Sequence, residues 1–164
     1  MHIHSYSETD FGEREPTSDY YGEKGAANAE MHRVETFAAF KKWNIVKAMV
    51  SGNPQSVDEW TAKDSDHRVI RGILIFSPDD YGLDSVKFEQ MVIEKKIEVF
   101  GEIGAYYNGT TLSDAIWQPY LRICEKYDIP VAVHTGGGDP GGTYSWSPKA
   151  RLKMGDPYLI EDVL

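Results

Sequence analysis

The segment 97–136 limits what this chain can fold into more than any other. It begins IEVFGEIG and ends DIPVAVHTG, with an amphipathic stretch between. The apolar runs 97–103 and 129–133 each have the length and content of a buried strand. Glu102 lies near the end of the first run, and His134 follows the second. Between them Ile116, Tyr120, Ile123 and Tyr127 recur at helical spacing. Strand–helix–strand units pair their strands in parallel through a right-handed crossover, so both strand ends reach one edge. Glu102 and His134, each of a type that ligates divalent ions, are therefore expected to converge.

A second pair opens the chain, in MHIHS. Residues two apart on a strand point to one face, so His2 and His4 aim together while Ile3 aims away. Taken alone, an H-x-H at a terminus is equally a solvated polar end. The region 5–27 carries Ser, Gly, Glu, Asp and Tyr without a period and reads as a long loop. Tyr20 and Tyr21 there, with Tyr106 after the fourth strand, are candidate substrate contacts.

The remaining elements alternate. A helix over 28–43 is capped by Asn28 and shows an apolar stripe of Met31, Val34, Phe37, Ala38 and Phe40. A strand over 44–50 precedes a short helix opened by Pro54. A third strand spans 69–76, followed by a helix over 84–96 with Val86, Met91 and Val92 inward. After the fourth strand, Asn108-Gly109 signals a turn and Pro119 a first helical turn. The fifth strand, 130–134, leads into a glycine-rich loop over 135–155. Asp156 and Pro157 then open another amphipathic helix. His32 and His67 read as solvated or structural.

Such alternation specifies an α/β fold with a parallel sheet. Both an open doubly wound sheet and a closed eightfold barrel fit the pattern. Ligands on strands one, four and five meet over the mouth of a barrel, whereas an open sheet tends to separate them. The expectation is a partial (β/α)8 TIM-type barrel, strands one to five with their helices, as one incomplete domain over 1–164.

Length and charge narrow the function. The chain has 164 residues, 41% of them hydrophobic, enough for one domain with a core. A net charge of −9 disfavours a nucleic-acid backbone or an anionic membrane as main partner and leaves a small-molecule substrate. Cys124 is the only cysteine, so no internal disulfide forms, and it reads as a small core residue. No run has the length of a membrane span, and no signal peptide is visible. A cytoplasmic location is favoured, with an export signal upstream of a truncated terminus as the alternative.

Three imidazoles and a carboxylate suit zinc or a similar divalent ion, one or two in number. Such an ion lowers the pKa of a bound water to about 7, and paired ions sit about 3.5–4 Å apart. The glycine loop also satisfies G-x-G-x-x-G formally, through Gly136, Gly138 and Gly141 with Asp156 further on. A dinucleotide site needs a helix to begin inside that turn, and Pro140 and the loop residues up to Pro148 interrupt it. The glycines read instead as a place where backbone passes close to the site.

Four stretches carry a family resemblance: MHIHS, FGEIGAYYNG, DIPVAVHTGGG and DPYLIEDVL. Together they resemble the amidohydrolase superfamily, in particular its amidohydrolase-related (type 2) branch. The likeness runs over nearly the whole chain and is clearest over 99–164. FGEIG also resembles strand four of TatD-type metal-dependent deoxyribonucleases. The resemblance implies a (β/α)8 barrel. It implies His2 and His4 as the strand-one metal pair, Glu102 as the strand-four carboxylate and His134 as the strand-five histidine. It implies hydrolysis of an amide or ester-like substrate, with metal-dependent decarboxylation as the near rival and phosphodiester cleavage third. The family's strand-six histidine and strand-eight aspartate have no counterpart here, so the general base is missing. A barrel of this type takes about 250 residues. The chain is thus expected to be a fragment, truncated at both ends and inactive alone. Its unpaired strand edges would favour a homo-oligomer or aggregation. Readings from other classes are a nucleotide-binding module using the glycine loop and a non-catalytic remnant.

Overall fold

Strands and helices alternate along residues 1–11, 25–137 and 143–164, which the computed structural model describes, and the strands pair in parallel. The α/β expectation holds. The chain divides into two units, 1–71 and 72–164. No described helix is long and apolar enough to cross a membrane.

In the first unit, β1 (His2–His4), β2 (Ala48–Ser51) and β3 (Val69–Arg71) lie side by side in chain order. His4 stands opposite Ser51 and Ala48 opposite Val69. The strands are connected through α1 (Glu8–Phe11), α2 (Ala29–Lys42) and α3 (Pro54–Lys63). Local chemistry sets the starts of the two longer helices. The Asn28 side chain accepts from the Met31 N–H and that of Asn53 from the Ser56 N–H, with Pro54 in the first turn where its missing N–H costs nothing. At the other end of α2, the Arg68 guanidinium donates to the carbonyls of Phe40 (2.9 Å) and Ile45 (2.7 Å). Val50, Trp60 and Val69 form the core, with Ile3 and Phe37 packed on it.

The buried face of α2 differs from the expected stripe. Met31 is 45% exposed, Val34 56%, and Ala38 is exposed too. Phe37 and Phe40 face inward as expected, joined by Ala29, His32 and Thr36. His32 is half-buried among Tyr6, Phe11 and Trp60, with ring centroids 5.4, 6.0 and 5.5 Å away. Burial holds its pKa below the ordinary 6.5; Glu35 opposes the shift and His4 adds to it. A histidine that the folded state keeps neutral contributes full stability above pH 6.5 and loses it as pH falls toward the lowered value. His32→Gln is therefore expected to flatten the acid limb of stability against pH below 6.5, as followed by urea unfolding at stepped pH. An unchanged slope would count against the linkage.

The second unit holds α4 (Ser85–Ile93), β4 (Phe100–Ile103), α5 (Gln118–Tyr127), β5 (Val131–Val133) and α6 (Thr143–Trp146). β4 and β5 run parallel, Phe100 opposite Val131 and Ile103 opposite Val133. On the other side of β4, the Ile73 N–H donates to Gly101 O (2.7 Å) and the Ile75 N–H to Glu102 O (2.9 Å). The core gathers Ile73, Ile75, Phe88, Phe100, Trp117 and Tyr120, all buried. The Tyr120 hydroxyl donates to Leu83 O at 2.7 Å, so the ring enters the core with its polar tip satisfied. Cys124 is buried here as expected, and burial pushes its thiol up to about 12, which leaves it an inert core residue.

Several expected elements are shorter than their apolar runs. β2 begins at Ala48 and β4 at Phe100, and β3 ends at Arg71, beyond which Ile73 and Ile75 bond to β4 instead. Val86 is 75% exposed and Ile116 47%, so Phe88, Val92, Trp117 and Tyr120 fill the places expected for them. Val131 is 38% exposed because β5 edges its two-stranded sheet. A four-residue helix, α1, occupies part of the expected loop 5–27. Asp156 does cap the last segment and accepts from the Tyr158 N–H, but 157–163 forms a 3-10 turn rather than an amphipathic α-helix.

Candidate metal centre

The four ligand candidates fall as two pairs, one in each unit. In the first unit, His2 and His4 share a face of β1, as two-residue spacing dictates, with ring centroids 4.9 Å apart. The His2 Nε2 lies 2.6 Å from Ser51 Oγ on the neighbouring strand, and the His4 Nδ1 lies 3.4 Å from the Tyr6 hydroxyl. Just beyond, the Ser5 N–H donates to Ser51 O (2.8 Å), and the two buried hydroxyls of Ser5 and Ser56 meet at 2.8 Å. Gly52 is required there. A Cβ on it would stand 2.2 Å from Ser5 Oγ and 2.5 Å from Ser5 O.

In the second unit, the parallel pairing of β4 and β5 brings Glu102 and His134 together, as the strand–helix–strand reading expects. Glu102 Oε1 accepts from His134 Nδ1, and the His134 N–H donates to Ile103 O at 2.9 Å. The side chains of His134 and Glu102 are 29% and 13% exposed. They are shielded enough for a strong hydrogen bond yet remain open to a small solute. A carboxylate only accepts, so Nδ1 carries the hydrogen in this contact.

Of the candidate substrate contacts, Tyr20 and Tyr21 lie outside the described residues. Tyr106 is buried, 1% exposed, and its ring stacks on His134, with centroids 5.6 Å apart and planes at 25°. The residue that sequence reasoning passed over is its neighbour. Tyr107 is half-buried, and its hydroxyl lies 3.2 Å from His134 Nε2. The signal for it is thin, since nothing in adjacent tyrosines says which points inward. The 3-10 turn Ala105–Asn108, closed by Gly109 at φ 74°, decides it. A Cβ at Gly109 would also crowd the Lys149 carbonyl at 2.9 Å.

The glycine loop is described only in part. Gly138 and Gly141 lie outside the described residues, and the next described helix, α6, has four residues. Gly136, at φ 106°, donates its N–H to Gly155 O at 2.9 Å. Comparison with protein-family models, with curated proteins and with solved structures finds no match to this chain.

Proposed function

We propose that this chain belongs to a metal-dependent hydrolase of barrel type, with His2, His4, Glu102 and His134 as the ligands of one or two divalent ions, zinc first among them. The observation that carries the reading is the Glu102–His134 pair at the ends of adjacent parallel strands, where a barrel keeps its reacting groups. The chain-order arrangement of β1, β2 and β3 in the first unit is also what such a barrel uses. His2 and His4 on one strand face add the imidazole pair. The donor chemistry, nitrogen and carboxylate oxygen without thiolate, suits zinc in a hydrolytic role.

A divalent ion at these residues supplies Lewis acidity and lowers the pKa of water at an open position. The chain's own groups do the rest. Glu102 Oε1 and His134 Nδ1 meet at one place, as two ligands of one ion would. Tyr106 covers one face of the imidazole and keeps water from it. The substrate class is an amide or ester-like small molecule.

Metal content tests the reading. The chain is loaded with zinc, dialysed and analysed by atomic emission beside His134→Ala. Wild type is expected to retain roughly one or two equivalents, and the variant to bind at least about tenfold more weakly. Undiminished zinc in His134→Ala would remove that residue from the site.

A further inference from the structure

The second unit carries a hollow that the metal reading leaves unused. Its volume is about 230 Å3, and Phe76, Tyr107, Asn108, Trp146 and Ser147 line it. Three of these residues are aromatic and none is charged. A closed apolar cavity of about 150 Å3 already takes benzene. Tyr107 joins the hollow to the candidate centre, since its hydroxyl lies 3.2 Å from His134 Nε2.

The fold sets the walls in place. Phe76 lies against Gly104, where a Cβ would stand 2.5 Å from its ring, and the Phe76 N–H donates to Asp80 Oδ2 at 2.6 Å. Tyr107 meets Phe76 edge-on, with centroids 5.6 Å apart at 82°, and its N–H donates to Gly104 O at 3.1 Å. Trp146 tilts against Tyr107 at 5.0 Å and 33°, and the next residue, Ser147, donates its N–H to Thr143 O at 2.7 Å. Walls held in this way leave little ordering for a ligand to impose. Trp146 is nevertheless 54% exposed, so much of a large ring stands in water. The side chains of Asn108 and Ser147, the polar residues of the lining, have no hydrogen-bond partner among the described residues.

This lining selects a chemistry. Aromatic walls attract a second ring through offset and edge contacts that a saturated group of equal size does not make. With no charged residue, they give an ionised group nothing to offset its desolvation. A carboxamide and a hydroxyl can take the polar atoms of a neutral substituent. We propose that the hollow is a substrate subsite for a neutral aromatic ring, packed against Phe76, Tyr107 and Trp146, with the amide or ester that the ring carries lying beside the Tyr107 hydroxyl and His134. This rests on the hydrolase reading for the reaction, and it adds which part of the substrate the protein recognises.

The test titrates benzamide, and cyclohexanecarboxamide as its saturated counterpart, into the whole chain after treatment with a chelator. Binding is read in 1H–15N spectra from the Trp146 indole N–H and from the Asn108 and Ser147 amides. Benzamide is expected to shift all three saturably with a Kd of about 10 mM, the scale that so small a ligand supplies. The saturated amide is expected to bind about fivefold more weakly, and benzamide to bind Trp146→Ala about fivefold more weakly than wild type. Equal affinity for the two amides overturns the aromatic subsite, and this comparison needs no variant to fold. Absence of a saturable shift overturns it too, as does wild-type affinity in a Trp146→Ala chain with a native circular dichroism spectrum. Zinc retention separates the two readings. Failure of benzamide in a chain that retains zinc overturns the subsite alone. Benzamide bound at Trp146 in a chain that retains no zinc overturns the hydrolase reading and leaves a ring-binding hollow.

Discussion

Gly101→Ala is expected to lower the stability of the unit 72–164 by about 3 kcal/mol or more, enough to unfold a marginal domain. Two independent causes add. Gly101 sits at φ 145°, a region that residues with a Cβ rarely enter. A Cβ built there would also stand 2.2 Å from the Ala132 carbonyl oxygen on β5. The clash is with backbone, not with the end of a flexible side chain, so β4 and β5 would have to part. Glu102 is the next residue, so the Glu102–His134 bond is expected to weaken with the strand pairing. Urea unfolding followed by circular dichroism measures the first effect, and zinc retention the second. A midpoint equal to wild type would show that the two strands can separate at no cost.

Phe100→Ala, one residue earlier, acts through the core instead. Phe100 is fully buried, 4.6 Å from the Phe88 ring centroid, stacked on Tyr120 at 5.9 Å and near Trp117 at 6.3 Å. Truncation leaves a cavity among rings that are themselves held. The Tyr120 hydroxyl bonds to Leu83 O, and the Trp117 Nε1 donates to Thr110 Oγ1 at 3.2 Å. Such surroundings collapse poorly, so the cost is expected near the top of the usual range, about 3–5 kcal/mol. Phe100→Leu, which refills most of the volume, should recover much of it. If alanine and leucine cost the same in denaturant titration, the ring packing contributes nothing specific.

The parts of this fold that were legible in sequence are those governed by neighbours along the chain. Asn28, Pro54 and Pro119 mark helix starts because such a signal needs only three or four consecutive residues. The meeting of Glu102 and His134 was legible for a related reason. One strand–helix–strand unit has a single common hand and pairing, so ends 32 residues apart in sequence become neighbours. What failed depends on tertiary choice. In α2 a helical period exists on more than one stripe: Phe37 packs on Trp60 as expected, but His32 takes the inward place beside it while Val34 and Met31 are exposed. Apolar runs overstated strand lengths because burial extends past the hydrogen-bonded ladder: Ile97 is 1% exposed yet precedes β4. The burial of Tyr106 and the placing of Tyr107 beside His134 were not legible, because a short 3-10 turn sets side-chain direction and no periodicity announces it.

The bond between Gly136 and Gly155 has a consequence for how such a protein can diversify. A Cβ on Gly155 would lie 2.5 Å from the Gly136 carbonyl oxygen, so the two backbones touch as only glycine permits. The excursion between them therefore leaves and returns through one clasp, two residues past His134. Lengthening such a loop costs little closure entropy, rising only with the logarithm of its size. Insertions and deletions inside the clasp are therefore cheap in free energy, while the backbone beside His134 keeps its place.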